Sequence, residues 1–439
     1  MFVRRNSFFG FVGFLVPTLV LFVVYPILVR HLGMATLGLY LLATSMSGAL
    51  AFLDAGFSAA TLKFVAEDLA LGMKQRVAET LVASTLFYGG VGALGGFALW
   101  ILAPWMVSIF KVDPALRATA IVVFRLAAVQ FAVFFTMTVF ISLFKGMQRF
   151  HLSTMSLSLL SVLTYGGAVI AVMFTDSGVV GVTAASLAAN VIVLTFSAAV
   201  GVFICADQGI PLRTARPTVA TYKRMLGFGF FMTVNGIAGL LLLQIQKYLI
   251  GITLGPAAVG IYQTASVPPS KVHAAVNAAT EVLFPMTSAS KDPVRLRSLY
   301  LRMVGATVAF STLAFLPMVL FGPRLISLWL GQSNSPELQA LFVIFAIAYF
   351  FQALNPPAFH LLNGLGKPWI NTISYFVTAL LNVAFIGIAL LTRPTLPRVA
   401  WAFAAAVFFG GVLYQATVEF LVWRRLRLPQ SSPQPVMSL

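Results

Sequence analysis

Twelve runs of predominantly apolar residues, separated by short polar links, divide this chain and restrict its fold more than any motif does. They occupy approximately residues 8–29, 37–60, 81–103, 119–142, 153–174, 179–204, 225–250, 258–284, 303–322, 340–362, 370–391 and 399–422. A hydrocarbon layer about 30 Å thick needs roughly 20 helical residues per crossing, and it holds no water to satisfy an open backbone. Each run must therefore close its own hydrogen bonds as a helix. With 60% hydrophobic residues, 9% charged residues and no link longer than about 20 residues, no soluble domain is interposed. The expectation is an all-α polytopic membrane protein with 12 transmembrane helices.

Lysine and arginine accumulate in the cytoplasmic links of membrane proteins. Placing the N-terminus inside puts 19 of the 28 basic residues in inner links, among them Arg4, Arg5, Lys63, Lys223 and Arg224, and 6 in outer links, among them Arg30, Lys111 and Arg117. An even number of crossings returns the C-terminus to the cytoplasmic side as well. Topology and contact with anionic headgroups thereby account for the net charge of +17, and no nucleic acid is expected. Cys205 is the single cysteine, so no internal disulfide forms; no Cys and His spacing suits a metal, and no cofactor is expected. The apolar run of about 22 residues after Arg4 and Arg5 is too long for a signal peptide and lacks a small-residue cleavage site, so it reads as a retained first span.

Segments recur at nearly half the chain length. Residues 32–40, LGMATLGLY, match residues 254–262, LGPAAVGIY, at an offset of 222. Residues 103–110, APWMVSIF, match 322–329, GPRLISLW, at 219, and residues 146–156, GMQRFHLSTMS, match 364–374, GLGKPWINTIS, at 218. Three matches in one order argue for a duplication, with residues 1–210 and 211–439 as two six-helix bundles entering the membrane from the same side. Substrate sites in such folds lie between the halves near mid-membrane. Gly33 and Gly38 suit a tight turn between helices, and Tyr40 and Tyr262 fall at interface depth.

Charges inside a span cost roughly 2.5–3.5 kcal/mol at its centre, so each is a candidate for function. Lys271 lies near the middle of the eighth span, directly after Pro268, Pro269 and Ser270, where the prolines remove two amide donors. Gln263, Ser266, Ser270, His273, Asn277 and Glu281 follow helical spacing and draw a polar stripe with Lys271 at its edge; polar glue between helices is the alternative, and the charge together with the kink favours a cavity lining. Arg125 stands about two turns below the outer surface in the fourth span, placed to meet a carboxylate or to snorkel. Lys247, with Gln244 one turn away, stands nearer the outer end of the seventh, where snorkelling is the simpler account. The tenth span is again polar and proline-broken, with Gln352, Asn355, Pro356, Pro357 and His360. Asp54 and Glu281, near the inner ends of the second and eighth spans, and His360 are the candidates for proton coupling, hydration being the plainer reading of the acids. A cavity lined by Lys271, Arg125, Lys247, His273, Asn277, Gln263, Gln244, Gln352 and Asn355 is cationic and polar, matched to an anionic or sugar-bearing substrate.

The stretch RHLGMATLGLYLLATSMSGALAFLDAGFSAATLKFVA resembles the N-terminal signature of polysaccharide flippases of the O-antigen and exopolysaccharide type, in the multidrug, oligosaccharidyl-lipid and polysaccharide exporter superfamily. LIGITLGPAAVGIYQTASVPPSKV, followed by LFPMTSAS, is similar to the corresponding part of their second half. The resemblance implies a MATE-like fold, two six-helix bundles around a V-shaped cleft open alternately to each side, and no enzymatic activity. It implies as substrate an undecaprenyl-diphosphate-linked oligosaccharide moved from the inner to the outer leaflet of a bacterial cytoplasmic (inner) membrane. Membrane lipids surround it, and glycosyltransferases, a polymerase and a chain-length regulator are its implied neighbours. Lys271 matches the position after the kink where such proteins often carry a base, whereas Lys247 stands where many have an acid or a polar residue, a departure that puts acid-based proton coupling in doubt. Lipid II flippases of the superfamily usually carry two further C-terminal spans, and multidrug exporters want acids in the cleft that spans one, seven and ten lack. A membrane polymerase or glycosyltransferase calls for a large external loop or an acidic metal motif. Reporter fusions near Thr214 and Gln332 are expected to read inside and outside respectively; the same side for both refutes twelve crossings.

Overall fold

The computed structural model of the protein describes residues 2–49, 53–54, 56–281, 283–288, 292–331 and 335–420; Gln332, Lys291, Arg424, Arg425 and Arg427 lie outside them. Every regular element among the described residues is helical, as the apolar runs require. The first half of the chain forms α1 (Phe2–Ala49), α2 (Phe57–Ala70), α3 (Lys74–Ile109), α4 (Arg117–Gly146), α5 (Phe150–Phe174) and α6 (Gly178–Asp207). The second forms α7 (Val219–Leu243), α8 (Ile245–Leu254), α9 (Pro256–Thr280), α10 (Leu283–Ser288), α11 (Pro293–Leu320), α12 (Gly322–Leu330), α13 (Pro336–Ala353), α14 (Pro356–Gly364), α15 (Pro368–Thr392) and α16 (Leu396–Val418). Nine described helical stretches are long and apolar enough to cross a membrane, and α7 with α8 makes a tenth as a bent pair. The twelve-crossing count adds α9, whose polar stripe lowers its hydropathy, and takes α1 as two limbs joined at Gly33.

The internal matches reappear in the backbone. Gly33 and Gly255 adopt φ of 71° and 83°, Lys111 and Gly331 49° and 62°, and Gln148 and Gly366 56° and 70°, each pair near the sequence offset. Lys111 and Gln148 thus take the positive φ that glycine takes in the other copy, at a cost to a β-carbon of about 1–2 kcal/mol. Gly33 supplies the expected turn, whereas Gly38 is helical and serves closeness instead. A β-carbon on Gly38 meets the Pro256 carbonyl oxygen at 1.8 Å, and one on Gly260 meets that of Met34 at 2.2 Å. The second glycines of the two motif copies are therefore where α1 and α9 cross with their backbones in contact. Tyr262 is not an interface anchor: the crossing buries it, its hydroxyl donates to Gln246 Oε1 at 2.8 Å, and Phe345 meets its ring edge-on.

Further contacts join the halves toward the same end of the molecule, the end that the basic residues put outside. Tyr25 and Thr264 share a hydroxyl hydrogen bond of 3.2 Å, and the Tyr248 hydroxyl donates to the Ser45 carbonyl at 2.6 Å. Lys111 Nζ donates to the Thr253 carbonyl at 3.0 Å, and Trp329 Nε1 to that of Phe22 at 2.9 Å.

Three spans are interrupted in mid-course, and at each interruption a side chain takes over backbone groups that lipid leaves unsatisfied. Between α1 and α2, Asp54 accepts from the Ser58 N–H at 3.3 Å, from the Ser58 hydroxyl at 2.9 Å and from the Tyr88 hydroxyl, and so caps α2. The chain bends by 42° between α7 and α8 at Gln244, where a continuous span was expected, and Asn382 Nδ2 donates to the carbonyls of Leu241 and Leu242 at 3.3 and 3.2 Å. Between α13 and α14, Gln415 Nε2 donates to the Leu354 carbonyl at 3.3 Å and to Asn355 Oδ1 at 3.4 Å. The helical course of the second span continues to Ala70, so Asp54 stands in mid-course rather than near the inner end expected for it.

Gly38→Val is expected to lower the melting temperature of the detergent-purified protein by about 5 °C or more, because α1 and α9 must separate. Gly166→Ala, where a β-carbon meets nothing within 4 Å, is the control and should leave melting unchanged or slightly higher.

Candidate functional site: the face of the second half that meets the first

α8 and α9 form an antiparallel hairpin about Gly255, and each turns one face to the first half. On α8, Gly251 packs on Leu42 and Phe110; Lys247, at i − 4 from it, shares that face. On α9, Gly260 and Thr264 touch α1, and Lys271, at i + 7 from Thr264, continues the line two turns deeper. The Gln246–Tyr262 hydrogen bond sets the level of Lys247, so the two lysines are about 15 Å apart along the α9 axis. Both are half-buried, and among the described residues neither has a carboxylate or hydrogen-bond partner. Among its described residues the same half buries six side-chain polar atoms with no partner: Gln244 Oε1, His273 Nδ1, Ser311 Oγ, Gln352 Oε1, His360 Nε2 and Asn382 Oδ1.

The structure brings Lys247 and Lys271 onto one side but disperses several of the other predicted residues. The polar stripe of α9 lies on a different face from Lys271. Ser266 and Ser270 donate to the backbone carbonyls of Gln263 and Val267 at 2.9 and 2.7 Å, and the His273 ring lies 6.0 Å from that of Tyr349 on α13. Beyond half-buried Gln263, the stripe opens along its length from buried Ser266 through half-buried Ser270 and His273 to exposed Asn277 and Glu281. Asn355 is held by Gln415, and buried His360 packs edge-on against Phe359 at the end of α9. Asp54 is engaged as the cap of α2. Arg125 stands apart, its guanidinium 4.3 Å from the Trp100 ring, between exposed Val122 and Val129 on α4.

A clasp that no sequence signal marked joins the halves at their other end. Arg224, in the first turns of α7, donates through Nη1 and Nη2 to the two Asp68 oxygens at 2.8 and 3.1 Å; Glu67 lies at 3.5 Å and the Phe64 ring at 3.9 Å. Asp68, near the end of α2, is fully buried, and its hydrogen bonds raise the Arg224 pKa above its already high range. The charge count took Arg224 for one basic residue among many in a link, because its partner is 156 residues away.

An all-helical chain of long apolar spans, several of them interrupted, is a polytopic membrane protein, and its fold is MATE-like. Among solved structures it resembles an inward-facing multidrug resistance MATE family transporter of the MOP superfamily, with a TM-score of 0.71 and 18% identity over 94% of each chain. A MOP superfamily transporter from Pyrococcus furiosus Vc1 is also similar, with a TM-score of 0.65 and 17% identity over 97% of this chain and 95% of that one. The chain belongs to the polysaccharide biosynthesis protein family, which matches residues 3–291, so the family resemblance read in the sequence holds. A curated relative, a putative O-antigen transporter of Shigella flexneri, is 22% identical over 382 residues, 85% of this chain and 87% of that protein.

Removing the clasp has a defined cost. Asp68→Asn is expected to weaken the folded protein by about 1–3 kcal/mol, since Arg224 keeps some access to solvent. Thermal unfolding in detergent measures the loss, and the exchanged pair Asp68→Arg with Arg224→Asp should recover part of it.

Proposed function

We propose that the protein moves an undecaprenyl-diphosphate-linked oligosaccharide from the inner to the outer leaflet of a bacterial cytoplasmic membrane, for surface polysaccharide synthesis. The observation that carries this reading is the pair of unpartnered ammonium groups, Lys247 and Lys271, on the faces of α8 and α9 turned to the first half. A charge without a counter-ion in a membrane span is costly, and an anionic ligand relieves that cost through charge-assisted hydrogen bonds. The family match and the O-antigen transporter relative support a glycan-bearing cargo. The protein is a transporter and not an enzyme, in keeping with its relatives.

In this mechanism Lys271 attracts the diphosphate or an acidic sugar and Lys247 extends the attraction about 15 Å further along α9. Gln244, one turn from Lys247 and with an unpartnered Oε1, offers an uncharged hydrogen bond to the glycan. Rocking of residues 1–210 against 211–439 about the outer crossing then exposes the cargo on the other side. Two unpaired cations repel organic cations, which disfavours multidrug export. Asp54 is bound to Ser58 and Tyr88, so proton coupling through it requires a prior rearrangement there, whereas Glu281 is exposed.

Lys271→Ala should abolish surface polysaccharide in a strain that depends on this protein, while a fluorescent C-terminal fusion shows normal membrane insertion. Lys271→Arg should retain export. Wild-type polysaccharide levels in Lys271→Ala would refute the cationic site.

A further inference from the structure

Arg125 is the third basic residue within a span, and its surroundings differ from those of the two lysines. Gly92 and Gly96 press α3 against Ala132 and Ala128 of α4. Arg125 lies just beyond that seam, about one turn from Ala128, with Val122 at i − 3 and Val129 at i + 4 exposed on the same flank. Across the seam Trp100 is 41% exposed, beside exposed Phe97 and Ile101 on α3. An exposed surface of Val, Phe, Ile and Trp on a membrane helix is a lipid-facing surface. Arg125 is therefore turned to lipid, away from α1 and the meeting of the halves.

Among the described residues its charge has no carboxylate partner. Nε is buried without a hydrogen bond. The acid that precedes α4, Asp113, spends its side chain on the Ala115 N–H at 2.8 Å. The guanidinium carbon lies over the Trp100 ring at 4.3 Å from its centroid, a cation–π contact that holds the head group while its N–H donors remain able to meet a phosphate. Arg125 is eight residues from Arg117, the start of α4, or about 12 Å along the helix, from which a long side chain extends toward headgroup level.

We propose that Arg125 and Trp100 form a lipid-phosphate site on the outer-leaflet side of the first half, its ligand a phosphate ester anchored in the bilayer by its own hydrocarbon. The proposal is independent of the cationic face between the halves: Lys247 and Lys271 take no part in it.

The test is native mass spectrometry of the delipidated protein, titrated in separate arms with phosphatidylglycerol, undecaprenyl phosphate and, as the neutral control, diacylglycerol. Arg125→Gln should weaken binding of one phosphate lipid by about tenfold, the loss of one charge-assisted hydrogen bond, and leave diacylglycerol unchanged. Arg125→Lys should recover only part of that binding, and Trp100→Leu should weaken it while the charge remains. Loss confined to phosphatidylglycerol identifies a bulk phospholipid as the ligand, and loss confined to undecaprenyl phosphate identifies a polyprenyl carrier. Equal binding by wild type and Arg125→Gln in both phosphate arms overturns the site. Melting temperature and elution volume of each variant, measured alongside, separate lost binding from lost folding.

Discussion

The contact at Gly38 and Gly260 sets the geometry on which the rest of the interface depends. Neither position has room for a single carbon beyond the backbone, so α1 and α9 approach until carbonyl oxygen meets peptide. That proximity determines which faces of α8 and α9 look across to the first half. Lys247 and Lys271 acquire their direction from it, because each shares a helical face with a residue already in contact across the boundary. Apolar attraction contributes little to helix association in lipid, and small residues that permit close backbone approach take its place.

Polar groups in this protein fall into two kinds that composition alone does not separate. Asp54, Asn382 and Gln415 are bound to backbone groups at helix interruptions, Asn382 through its Nδ2 alone. Lys247, Lys271, Gln244 and Gln352 retain unused hydrogen-bonding capacity. Asn355 and Gln352 are three residues apart on one span, yet Gln415 binds the first and the second keeps a bare Oε1.

Much of the architecture was legible because lipid enforces it. The apolar runs, the turn at Gly33 and the duplicated motifs follow from backbone satisfaction and from glycine's access to positive φ. Other features depend on partners remote in sequence. The bend at Gln244 is underwritten by Asn382, the burial of Asp68 by Arg224, and the isolation of Arg125 by Trp100, none of which leaves a periodic trace. The stripe on α9 was read correctly as a face, but spacing within one helix does not say which neighbour that face meets. Lys271 lies on another side, revealed only through Thr264 and Tyr25.

The clasp of Arg224 on Asp68 and Glu67 joins residues from different halves, so its free energy enters any equilibrium in which the halves part at that end. A bidentate pair that contributes about 1.4 kcal/mol to the joined arrangement biases the two populations roughly tenfold, and 2.8 kcal/mol about a hundredfold. In the proposed rocking of the halves the clasp lies apart from Lys247 and Lys271, so its strength can vary without altering what they would recognise. The fraction of molecules poised on one side, and hence the waiting time before each passage in that mechanism, would be tunable at two residues outside the cationic face.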